Sequence, residues 1–345
     1  DFKLLDILKH LTSTPGPAGS ENKVAELLQT YIKKLGLNSH IDNMGNLVAT
    51  IKGKNPDKSI AIVVHTDEVS LLVKYISDDG FIYFDLNGMI DTRILLGLVV
   101  DVISDKGTYP GAIGVKGKHL LTETDLNNQI VLENLWIDVG ASSKTEVHKL
   151  GIKIGDPIVF HPNFQLLGKN KVLSKALDNR IGCVIMLDLL KNLKNTTPNH
   201  TLHFVAAVQE EIGSRGAKVA AQILHPTQAI IIDTTPARDP TTSKQQTPIE
   251  VGKGPVIRIV DSATVYSKEI TKQLISIAQK HKLNFQLDVA TGFWTDASTI
   301  HTVDSGIPSG GIFIPRFSSH SPVETANIND IKQTSSLVLE YLKLH

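Results

Sequence analysis

Residues 60–68 read IAIVVHTDE, an unbroken apolar run that turns abruptly into His65, Thr66, Asp67 and Glu68. A short, wholly apolar run of this kind is a strand covered on both faces. The same layout recurs at 202–211 (LHFVAAVQEE), at 229–235 (AIIIDTT) and at 311–320 (GIFIPRFSSH). Helical patterns lie around these runs. Val24, Leu27, Leu28, Tyr31, Ile32 and Leu35 recur at helical spacing, with Gly19-Ser20 as the expected N-cap and Gly36 as the stop. Further helices are expected at the N-terminal DFKLLDILKH and over 179–193, 214–223, 267–281 and 328–344, with further strands over 47–51 and 285–289. Strands alternating with helices predict an α/β fold: a mixed, mostly parallel sheet with helices on both faces.

Between 71 and 162 the texture changes. Short β-like runs at 81–84, 96–103, 111–115, 135–139 and 156–160 are separated by Gly, Asp, Asn and Pro, with one short helical stretch near 144–150. This predicts a small all-β, barrel-like domain inserted in the chain. The expected organisation is one α/β domain made of 1–70 and 163–345, interrupted by an inserted domain at 71–162. The polar stretch 236–247 is expected to be an exposed loop.

The chain has 345 residues, enough for a large core, and its 35 basic and 35 acidic side chains leave a formal net charge of +0. A neutral surface offers no general attraction to nucleic acid or to an anionic membrane, and it permits self-association. No apolar run approaches the roughly 20 residues that span a bilayer. The first residues lack the basic-then-apolar layout of a signal segment. Cys183 is the only cysteine. That excludes an intrachain disulfide and a thiolate-rich zinc cluster, and a reducing cytoplasm is the expected setting. Any metal must be held by histidine and carboxylates.

Those residue types stand where the strands end. Ligands of open α/β sheets bind beyond the carboxyl ends of the strands. Here four strands deliver His65, Glu210-Glu211, Asp233 and His320 to one expected sheet edge, and Asp178 opens the helix that precedes the second of them. Singly, each has a plain structural reading as a cap, a turn former or a solvated acid. Jointly they form an imidazole–carboxylate ligand set suited to zinc, cobalt or manganese. Two histidines and three acids exceed one tetrahedral site and fit two divalent metals that share a carboxylate. Such a pair activates a water and polarises a carbonyl. Adjacent acids diverge after a strand, so one of Glu210 and Glu211 can ligate while the other faces the water. Asp67 is placed to hold the second ring nitrogen of His65.

The order and spacing of several segments resemble the dinuclear metallo-aminopeptidases, the family of glutamyl aminopeptidase, the tetrahedral aminopeptidases and proteins called endoglucanase M. The segments are TPGPAGSE (14–21), HTDEVS (65–70), DDGFIYF (78–84), PGAIG (110–114), IDVGASS (137–143), SKALDNRIG (174–182), VQEEIGSRGA (208–217), WTDA (294–297) and SHSPVE (319–324). The resemblance spans nearly the whole chain. It implies that Asp178 bridges two metals, that His65 and Asp233 complete one site, and that Glu211 and His320 complete the other. It also implies that Glu210 is the general base and acid and that Asp67 orients His65. The substrates it implies are peptides with a free N-terminus, and it implies a homo-oligomer, with a dodecameric cage as the known form. Thr66, Ser70, Trp294, Ser298 and the Phe317-Ser318-Ser319 stretch depart from the family's usual residues. These departures surround Thr295, Asp296 and Arg316, which are expected to line the substrate pocket. A glutamyl preference would need a cation there, with Arg258, Lys175 and Arg316 as candidates.

Two other classes compete. The endoglucanase label suggests a glycosidase, but a carboxylate-pair glycosidase needs no histidine ligands and the chain has only 5% aromatic residues for sugar platforms. A non-catalytic metal-binding scaffold would have no use for a further acid beside a full ligand set. Among hydrolases the alternative is a dinuclear-metal deacylase or carboxypeptidase. In those the extra domain enters after the Glu-Glu motif, whereas here it enters between His65 and Asp178.

Overall fold

The computed structural model describes residues 3–123 and 130–345. The chain forms two compact units. One comprises Asp1–Glu68, Asn163–Ser319 and Val323–His345, the other Val69–Pro162 with His320–Pro322.

The first unit is built on an 11-stranded mixed sheet. Strands His200–Ala207, Asn55–His65, Gln228–Pro236 and Ser309–Phe317 lie side by side, all parallel. They form the centre. The flanks are antiparallel: Leu47–Ile51 and Ser39–Ile41 on one side, Glu324–Asn327, Lys171–Ser174 and Gln165–Leu167 on the other. Val256–Asp261 branches off Ser309–Phe317 and carries Gln286–Ala290 as a parallel edge strand.

The apolar runs follow from this geometry, because side chains alternate between the faces of a strand. Ile60, Ile62 and Val64 join one core with Phe204, Ile230 and Ile312. Ala61 and Val63 join a second core on the opposite face with Val205, Ile231 and Phe313. Helices Leu4–Ser13, Asn22–Lys34, Leu177–Leu193, Lys268–Lys280 and Ile328–Lys343 cover the first face. Arg215–Leu224 and Ala297–Ile300 cover the other. Each fully buried Leu or Ile contributes about 1.5–3 kcal/mol relative to exposure.

The structure corrects several local expectations. The strand expected to stop at Ile232 runs on to Pro236, because Ser309–Phe317 pairs with it as far as Arg316. The helix expected to be capped by Gly19-Ser20 starts at Asn22 without a side-chain cap. Glu21 is turned elsewhere: its carboxylate accepts the N–H groups of Gly19 at 2.7 Å and Gln209 at 3.1 Å. The helix Leu177–Leu193 is interrupted at Asp178 and Asn179, which are non-helical and joined by a cis peptide. Asn179 Oδ1 accepts Gly182 N–H at 2.9 Å, so regular helix starts behind it.

The second unit is a closed barrel of strands Ser70–Ile76, Ile82–Asn87, Trp136–Asp138, Gly107–Gly114, Val99–Ser104 and Pro157–Phe160. Its own core includes Leu71, Phe84, Val100, Val102, Ile137 and Ile158. The short helix Lys144–Lys149 is capped reciprocally. Ser143 Oγ accepts Glu146 N–H, and Glu146 Oε2 accepts Ser142 N–H at 2.7 Å. Among the described residues no helix is long and apolar enough to cross a membrane.

Candidate active site

The parallel register assembles the site. Ala207 is level with His65, and Ile231 is level with Val63, so Asp233 reaches the level of His65 two residues on. Strand alternation then turns His65 and Asp233 to the same face. His65 Nε2 lies 3.2 Å from Asp178 Oδ1 and 3.4 Å from Asp233 Oδ1. The ligand atoms of these three buried residues all lie within 4.8 Å of one another. On the other side of the ring, Nδ1 is 3.4 Å from Asp67 Oδ1.

Asp67 does a second job. Its two oxygens accept the backbone N–H groups of Glu210 (3.0 Å) and Glu211 (2.9 Å). One buried carboxylate thus fixes both the ring of His65 and the turn that carries the paired acids. That turn is braced from behind. Asn46 Oδ1 accepts Val208 N–H at 3.0 Å, and Asn46 Nδ2 donates to Gly216 O at 3.0 Å.

Asp178 is held by groups that sequence reasoning did not single out for the task. Its N–H donates to Glu324 Oε2 at 3.0 Å. Arg316 Nη2 pairs with Asp178 Oδ2, its Nη1 lies 3.2 Å from Glu324 Oε1, and its Nε donates to Thr234 Oγ1 at 2.6 Å. Arg316 therefore aims at the carboxylate cluster. Lys175 and Arg180 flank Asp178 in sequence, and both pair with the buried Glu68. Arg180 also donates to Leu11 O at 2.7 Å and Thr14 O at 3.0 Å. Lys175 N–H in turn donates to Asn163 Oδ1 at 3.1 Å. Arg258 is fully buried on Asp288 Oδ2 (2.9 Å), with Phe293 and Phe313 ring centroids 4.7 and 4.0 Å from its guanidinium carbon. Glu68 lies within HTDEVS and Glu324 closes SHSPVE, but nothing in their spacing marks them as supports.

The electrostatics are those of a pocket short of positive charge. Burial pushes the pKa of Glu210 well above the carboxylate range; His65 opposes this, while Asp233, Asp296 and Glu211 add to it. Burial raises Asp233 and, more strongly, Asp296, again against the pull of His65. Burial disfavours a charged His65, but Asp233, Asp178 and Asp67 outweigh it and raise its pKa well above the usual value. Crowded, buried acids that draw protons onto themselves and onto their histidine are suited to a bound cation. One imidazole with several carboxylates is the donor chemistry of zinc, cobalt or manganese. The residues therefore fit a metal.

His320 stands on the three-residue segment that counts with the barrel unit, and its Nδ1 lies 2.6 Å from Met89 O. A carbonyl only accepts, so Nδ1 carries a proton. Thr295 and Asp296 are both buried. Thr295 Oγ1 is 3.1 Å from Tyr266 OH, which donates to Asp261 Oδ2 at 2.8 Å.

A sheet with helices on both faces, an inserted barrel, and buried His and Asp at the carboxyl ends of the central strands define the layout of the α/β class, in which ligands bind beyond the strand ends. Residues 45–337 match the M42 glutamyl aminopeptidase family, and the chain belongs to it. It is thereby a hydrolase of the peptidase class. It is 37% identical to an aminopeptidase from the archaeon Desulfurococcus kamchatkensis, with a TM-score of 0.94 over 99% of this chain and 95% of that one. It is 33% identical to the TET1 peptidase of Pyrococcus horikoshii, which can assemble into a tetrahedron or a large octahedral shell. The TM-score there is 0.90, over 99% of each chain. The lysyl aminopeptidase of Pyrococcus furiosus is 30% identical over 98% of this chain and 97% of its own.

Proposed function

We propose that this chain is a metal-dependent aminopeptidase that removes N-terminal residues from peptides with a water activated by two divalent metals. The observation that carries this reading is the arrangement at His65: two carboxylates face Nε2, a third faces Nδ1, and the buried Glu210 stands beside them. His65, Asp178 and Asp233 would hold one metal, and Asp178, Glu211 and His320 the other. His320 is suited to its part. Its Nδ1 is held by the Met89 carbonyl. Zinc is the expected ion, with cobalt or manganese also accepted, and the pair supplies Lewis acidity that lowers the pKa of a water and polarises the scissile carbonyl.

Glu210 takes the proton from the attacking water and passes it to the leaving amine. Its burial beside His65 and Asp233 places it to make both transfers. Asp67 keeps the His65 ring and the peptide of Glu210 and Glu211 aligned while this happens. Arg316 holds Asp178 in register with Glu324. The Glu210→Gln variant should keep its metal, measured by elemental analysis, and lose about 10²–10⁴-fold in kcat on leucyl p-nitroanilide. Wild-type turnover in that variant would sink the mechanism. EDTA should abolish wild-type activity, and activity that survives full chelation would favour a carboxylate-pair hydrolase instead.

The proposal extends to assembly and setting: a homo-oligomer, a dodecamer being the expected form, in a reducing cytoplasm where the buried Cys183 thiol persists. The self-assembling TET1 relative and the formal net charge of +0 support the oligomer. Mass photometry at nanomolar concentration should report a mass near twelve chains; a monomer across the concentration range would refute it.

A further inference from the structure

Asp296 is a buried carboxylate with no part in the reaction described so far; no donor meets its Oδ1 in good hydrogen-bond geometry, although the Ser214 hydroxyl lies near enough to favour its charged form. Such an oxygen is costly to bury and persists where something comes to meet it. Several other buried acids are answered. Asp178 and Glu324 have Arg316, Asp67 has two backbone N–H groups, and Glu68 has Lys175 and Arg180. Asp296 stands outside the His65–Asp178–Asp233 group whose ligand atoms converge. Its charge is nevertheless felt at Glu210, and it feels those of His65, Asp233 and Asp67.

Its position is fixed from two sides. On one side Thr295 is bonded to Tyr266, and Tyr266 to Asp261. On the other, Thr299 Oγ1 donates to Ser214 O at 3.0 Å, and Ser214 N–H donates to Glu210 O at 3.0 Å. The helix that follows Asp296 is thereby tied to the turn of the proposed base.

We propose that Asp296 is the substrate-binding residue that receives the α-ammonium group of the peptide. This rests on the aminopeptidase reading and gives that reading its reason for demanding a free N-terminus. An ammonium is a compact cation with three donors, and it answers a lone buried carboxylate. A blocked N-terminus brings a neutral amide and leaves the carboxylate unanswered.

The test is the Asp296→Asn variant in the full, metal-loaded protein. KM for leucyl p-nitroanilide should rise about 10- to 100-fold, the effect of losing a charged hydrogen bond. The change in kcat should stay within about threefold, and metal content should be that of wild type. L-leucinol should bind wild type far better than 4-methylpentan-1-ol, which lacks the amine, and the variant should lose that discrimination by calorimetry. An unchanged KM with unchanged discrimination overturns the proposal. So does loss of metal from the variant, which would make Asp296 a ligand. If the variant does not fold, equal binding of the two alcohols to wild type overturns it. A wild type that cleaves no aminoacyl anilide removes the aminopeptidase reading instead, and the leucinol titration still reports on Asp296.

Discussion

Each of the three cations that the sequence offers as a partner for an acidic side chain is already engaged. Lys175 pairs with Glu68, Arg316 with Asp178 and Glu324, and Arg258 with Asp288 between two phenylalanine rings. Drawing one of them to a substrate carboxylate would leave its own partner buried and unpaired, which is strongly destabilising. On these pairs the pocket of this chain is not expected to favour a glutamyl residue. We expect leucyl p-nitroanilide to exceed glutamyl p-nitroanilide by about tenfold or more in kcat/KM, equivalent to ~1.4 kcal/mol. A measured preference for the glutamyl substrate would show that one of these pairs opens. Trp294, which departs from the family pattern, is half exposed.

At the scale of elements, the turn bearing Glu210 and Glu211 depends on the tight seat of Gly216. A Cβ there would meet Asn46 Oδ1 at 2.3 Å and Val208 O at 2.5 Å, the latter being backbone. Gly216→Ala should therefore cost about 2–4 kcal/mol in urea unfolding and lower kcat as the turn shifts. A loss within about 0.5 kcal/mol would mean the turn is more tolerant than its contacts indicate. Elements of this kind also show what the sequence made legible. The central strands were readable because both faces are buried, which leaves continuous apolar runs. Glu324–Asn327 and Lys171–Ser174 were not, because they are short and mostly polar or mixed, and hold their place through pairing with each other. Val256–Asp261 escaped notice because its buried Arg258 and Asp261 break the apolar run, and the partners of Arg258, Thr235 and Asp288, lie far away in sequence. The site was legible as a set of residue types at strand ends. The supports of that set were not, since Arg316, Glu324 and Glu68 acquire their roles only when the sheet brings distant segments together.

At the scale of the molecule, Lys175 has a consequence beyond its buried pair. Glu68, the last residue before the barrel, and Asn163, the first after it, are both bonded to this one lysine. The long detour through Val69–Pro162 is thus latched at its base inside the parent fold. Closing a loop costs only about 0.6 kcal/mol more for each doubling of its length, so the parent is nearly indifferent to what hangs there. The barrel should then behave as an exchangeable cassette. A shortened chain with a brief Gly-Ser bridge from Glu68 to Asn163 should unfold cooperatively and bind one metal at His65, Asp178 and Asp233, measured by calorimetry. It should be inactive, because His320 has lost the Met89 carbonyl that fixes its proton. Failure of that chain to fold would mean that the latch does not hold on its own. Success would make this lysine the seam along which the protein can be cut and rejoined.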